Sequence, residues 1–67
     1  MSLVPYWINL SVLDPEEYTE VYMRIDRLSN DGIHEDRKSG GEVFMLDEAR
    51  FPTTLLRVPD KCQLRRL

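Results

Sequence analysis

The sequence predicts an α+β fold in which one helix packs on a small sheet. Three observations carry that prediction. Residues alternate in character from Tyr6 to Leu13, an amphipathic stretch with a well-formed start runs from Asp14 to about Ser29, and Ser39-Gly40-Gly41 leads into the apolar run Val43-Phe44-Met45-Leu46.

The alternation sets Tyr6, Ile8, Leu10 and Val12 against Trp7, Asn9, Ser11 and Leu13. A period of two over this span predicts a strand with one face on a core. Pro5 suits the start of such a strand. The helix signal follows at once. Asp14 is a good N-cap, Pro15 fits the first helical position, and Glu17 stands where a capping box needs an acid. Glu16 and Glu17 also favour the positive end of the helix dipole, and Leu13 and Tyr18 hold the positions of a hydrophobic staple. Tyr18, Val21, Tyr22, Ile25 and Leu28 then recur every three or four residues as one apolar stripe. Asn30-Asp31-Gly32 reads as the helix stop, with Gly32 free to take a positive φ.

A second, polar strand is expected from Ile33 to about Lys38, mainly because the Ser39-Gly40-Gly41 turn and a stronger strand follow it. The third strand begins at Glu42 and could continue, broken by Pro52, towards Val58. Pro59-Asp60 opens a short helix from Lys61 to Leu67, anchored by Cys62 and Leu64. The order β-α-β-β with a helical stub is the front part of a ferredoxin-like βαββαβ unit, incomplete at its end and lacking a fourth strand. Residues 1–67 form one domain, with a short basic tail at 57–67.

Composition bounds the function. The chain has 67 residues, 42% hydrophobic and 31% charged, an ordinary globular balance. No apolar run approaches the roughly 20 residues of a membrane span, and no basic, apolar leader stands at the start. Cys62 is the one cysteine, so no internal disulfide forms. No metal or other cofactor is implied by the spacing of His and Cys. A reducing cytoplasm is the expected location. So small a core implies that self-association contributes to stability.

The net charge of −3 is uneven. Residues 1–56 carry five basic against eleven acidic side chains, whereas 57–67 carry Arg57, Lys61, Arg65 and Arg66 against Asp60. A basic tail on an acidic body can contact phosphate or pair with the body of a neighbour. A solvated or self-pairing tail is the plainer reading of only four charges.

The decorated pattern resembles the small GhoS-like family. The matching residues are Glu17-Tyr18, Val21-Tyr22, Arg24-Ile25, Leu28, Gly32-Ile33-His34, Ser39-Gly40-Gly41, Glu42-Val43-Phe44-Met45-Leu46 and Ala49-Arg50-Phe51. They cover residues 6 to about 51. The resemblance implies a ferredoxin-like fold akin to small CRISPR-associated nucleases, and an antitoxin that cleaves single-stranded mRNA. The C-terminal third lacks that family's longer second helix and closing strand.

Under the ribonuclease reading, His34 would be a general base poised by a carboxylate such as Asp36, and Arg24 would meet RNA phosphate. The plainer readings are an exposed histidine, a charged hairpin, and an arginine paired with Glu20. Asp14, Glu16 and Glu17 are explained by helix capping without a metal. Asp36, Asp47 and Glu48 could hold Mg²⁺ if the hairpin brought them together, though surface charge accounts for them more simply. Trp7 is expected on the sheet face away from the helix, with Leu13 and Phe44 beside it. There it must be wet, stacked on a base, or buried by another subunit; a homodimer is the favoured case, ahead of a partner-protein surface and of base stacking.

Two function classes follow. One is a regulatory interaction protein of antitoxin or phage-inhibitor type that binds a protein partner as a homodimer. The other is the single-stranded RNA endonuclease that the resemblance implies.

Overall fold

The structure is a computed structural model and describes residues 2–67. Strand β1 spans Leu3–Ile8, helix α1 Pro15–Leu28, β2 Asn30–Asp36, β3 Gly41–Asp47 and β4 Arg65–Arg66. Short 3-10 turns stand at Leu10–Val12, Thr53–Leu56 and Asp60–Cys62. The four strands form one antiparallel sheet in the order β2-β3-β1-β4. That is the strand order of a ferredoxin-like sheet with the helix on one face, and β1 and β2 run parallel with β3 between them.

Four expectations need correction. The first strand ends at Ile8 rather than Leu13, because Asn9 caps the 3-10 turn by accepting from Ser11 N at 3.1 Å. Leu10 and Leu13 then both fall into the core. The alternation there mimics a strand although the chain is already coiling. Secondly, β3 stops at Asp47, and Arg50 N and Phe51 N both turn back to the Asp47 carbonyl. Thirdly, the expected C-terminal helix is one 3-10 turn that ends where Gln63 takes φ 54°. Lastly, a fourth strand is present: β4 pairs Arg66 with Tyr6 and Arg65 with Trp7 on the free edge of β1. Two 3-10 turns thus stand in for the second helix of the fold.

The helix forms as its start signals demand. Asp14 accepts from Glu17 N at 2.9 Å, a cap worth about 1 kcal/mol. The Glu17 carboxylate does not close the capping box; it lies 3.3 Å from Lys61 instead. The helix ends at Leu28. Gly32 (φ 81°) and Asp31 (φ 71°) serve a bulge at the start of β2 rather than a helix cap, since the strand begins directly after Ser29.

The core lies between sheet and helix. Tyr6 and Ile8 of β1, Phe44 and Leu46 of β3, and Val21 and Ile25 of α1 pack with Leu10, Leu13, Leu56 and Cys62. Tyr6 stacks on Phe44 with ring centroids 5.6 Å apart. Burying each large apolar side chain contributes about 1.5–3 kcal/mol.

Candidate functional site

Antiparallel register decides which side chains share the face that the helix leaves bare. Tyr6 stands opposite Phe44 and Val4 opposite Leu46, so these point to the core. Phe44 is therefore a core residue, 1% exposed, and not part of an open-face patch. Leu13 is likewise inside. Beyond the Asp36–Gly41 pair at the hairpin end, the bare face carries three rows instead. The first runs His34, Val43, Trp7, Arg65 across all four strands. The second pairs Met45 with Pro5, beside which Leu67 N donates to the Pro5 carbonyl at 2.9 Å. The third pairs Asp47 with Leu3.

Trp7 is on this face but only 7% exposed, which removes the argument that it needs another subunit to cover it. The chain covers it by itself. The indole lies over Gly41, where a Cβ would come within 2.5 Å of the ring. Its N–H donates to Ser39 Oγ at 2.5 Å, and that hydroxyl donates to Asp36 at 2.6 Å. The Arg65 guanidinium sits 4.3 Å from the ring centroid, a cation–π contact worth about 0.5–1 kcal/mol. Gly41 thus serves close approach rather than turn geometry; Gly40 (φ 78°) supplies the turn.

Apolar surface remains beside the tryptophan. Pro5, Val43, Met45 and Leu67 line a shallow hollow of about 320 Å³ together with His34. Leu67 is 62% exposed, and Leu3 continues the patch through its row with Asp47. Charged side chains border it: Asp36 on β2 and Arg65 on β4.

The proposed ribonuclease groups are not gathered into one site. Arg24 is on the helix side of the sheet, its side chain 15% exposed. Its guanidinium donates to the carbonyls of Leu56 (3.1 Å) and Arg57 (3.0 Å) and to Glu20 (3.2 Å). It clasps the Thr53–Leu56 turn to the helix, and Arg57 takes φ 46° at the clasp. His34 lies on the other face, its Nε2 3.1 Å from the Asp31 carbonyl oxygen. A backbone carbonyl, not a carboxylate, orients the imidazole.

Asp36, on β2 opposite Gly41 at the start of β3, and Asp47, at the end of β3, are separated along the strand by six residues or about 20 Å. Among the described residues, no cluster of three His, Cys, Asp or Glu side chains could hold a metal ion. A hollow of about 560 Å³ beside Thr53, Arg57, Asp60 and Gln63 is a broad groove along the 3-10 turns.

The basic tail pairs largely with its own body. Lys61 meets Glu17, Arg65 lies on Trp7, and Arg66 meets Glu48 through two contacts at 3.1 and 3.2 Å. Glu48 also accepts from the Tyr6 hydroxyl. Arg66 first, and Tyr6 next, hold the Glu48 carboxyl below its usual range. Burial, with Glu48 beside it, pushes the Tyr6 phenol up.

Sequence reasoning did not single out Pro5, Val43, Met45 and Leu67 as surface residues. The signal was there: once Phe44 and Leu46 face the core in phase with Tyr6 and Ile8, Val43 and Met45 must face away. Glu48 as the partner of both Tyr6 and Arg66 has no local signal at all.

The chain matches no known protein family, no curated protein and no solved structure. Among the described residues, no helix is long and apolar enough to cross a membrane.

Proposed function

We propose that this chain is a small cytoplasmic regulatory protein of antitoxin or phage-inhibitor type, acting by protein binding through its helix-free sheet face. The supporting observation is the contiguous apolar surface of Leu3, Pro5, Val43, Met45 and Leu67, bordered by charge. An apolar centre with a polar rim is the anatomy of a protein interface. The single thiol, Cys62, is buried and unpaired, which suits a reducing compartment. The GhoS-like resemblance would add RNA cleavage, and its support is the ferredoxin-like strand order. Against that addition stand the engagement of Arg24 with its own chain and the separation of Arg24 from His34.

A photo-crosslinking residue at position 45 tests the binding role in cells. The control is position 23, where Met23 is 59% exposed on the outer side of α1. Protein adducts from position 45 well above those from position 23 are expected, and equal yields count against the binding face. Purified protein is also to be incubated with labelled single-stranded RNA, with and without Mg²⁺. Cleavage abolished by His34→Ala would replace the binding role with an enzymatic one.

A further inference from the structure

The helix-free face is not only apolar; it is polarised from one edge to the other. Asp36 stands on the β2 edge and Arg65 on the β4 edge. Apolar Val43, Met45, Pro5 and Leu67 lie between them. Exposed His34 shares the row of Arg65, and Arg37 and Lys38 fall in the turn beyond the end of β2. A twofold axis parallel to the strands reverses the strand order across the face while keeping each row at its own level. It therefore lays the β4 edge of one copy over the β2 edge of the other, twice over. The apolar rows meet in the middle, and Arg65 of each copy falls over His34 of its mate, one row from Asp36 and within an arginine's reach of it. Sheets pack face to face in aligned fashion, and a twofold is the commonest closed symmetry.

We propose that the occupant of this face is a second copy of the same chain, in a twofold sheet-on-sheet dimer with Asp36 and Arg65 forming its two charged seams. This rests on the proposed role of the face as a protein-binding surface and names the partner. Three strands about 20 Å long and the two-residue β4, about 4.8 Å apart, offer roughly 320 Å² per copy. That is about two-fifths of the area each side contributes to a standard interface, so the dimer is weak and forms at tens of micromolar or above. The charge pattern supplies register, and the apolar rows supply attraction.

Sedimentation equilibrium from 5 µM to 1 mM tests the proposal. The wild type is expected to move from monomer to dimer across that range. Arg65→Glu alone, or Asp36→Arg alone, puts like charges at both seams and should weaken dimerisation about fivefold or more, since even exposed pairs shift affinity by up to about 1 kcal/mol each. An equimolar mixture of these two variants has opposite charges at both seams and should recover wild-type affinity. Met45→Glu should hold the chain monomeric, with its thermal melt confirming that it is folded. A wild type that stays monomeric at 1 mM overturns the proposal, as does a mixture no tighter than either variant alone. In the first case, position-45 adducts to another protein would leave the binding face standing. Absence of any adduct would remove both.

Discussion

Glu48 shows how one side chain joins distant parts of the chain. It receives Tyr6 from β1 and Arg66 from β4 while standing just past β3. Arg66 holds its carboxyl below the ordinary range. A depressed folded-state value means that the contribution is complete above the unfolded carboxyl value of about 4.3. It is lost as pH falls through the folded one. Thermal melts between pH 7 and pH 2.5 should show a steeper acid loss for the wild type than for Glu48→Gln, and parallel curves would contradict this. Arg24 carries a related lesson. The pairing with Glu20 that helical spacing suggests is present at 3.2 Å, yet the same guanidinium also binds two carbonyls more than thirty residues away. No spacing rule reports those carbonyls.

At the scale of elements, the helix and the third strand were legible and the fourth strand was not. Helix signals are local: Asp14, Pro15 and the stripe through Val21 and Ile25 act within a few turns. β4 has two residues, both arginine, so it has neither length nor apolar character to read. It is a strand because the edge of β1 is free beside it and because Trp7 and Glu48 receive its side chains. Removing residues 65–67 takes away the Arg65 contact, the Arg66 pair and the Leu67 amide bond to Pro5. The expected cost is about 1–2 kcal/mol. Trp7 emission should shift to the red and become more accessible to acrylamide, while the helical circular dichroism persists. An unchanged tryptophan signal would show that β4 does not cover the indole.

Over the whole molecule, the core lies on one side of the sheet and every group of the proposed dimer on the other. Cys62 reports on the first side. It is fully buried in the core cluster, and burial first, then Glu17, pushes its thiol up. A raised value in the fold contributes stability below the unfolded thiol's value of about 8.5, lost as pH rises through the folded one. Alkylation by iodoacetamide at pH 8 should therefore be slow in the native protein and should follow global unfolding in urea. Native modification as fast as that of a free cysteine would place the thiol outside the core.

The sequence by itself determined that the chain is α+β, where its helix starts, and which residues form the apolar stripe, because those properties arise from neighbours within a few positions. It also limited the chain to a small core. Tertiary structure alone decided that Phe44 faces inward, that Trp7 is covered by Gly41, Ser39 and Arg65, that a two-residue strand closes the sheet, and that Arg24 holds a turn rather than a ligand. Each of these depends on groups roughly 20 to 60 residues apart in sequence meeting across strand register, and a one-residue change of register reverses every face it sets.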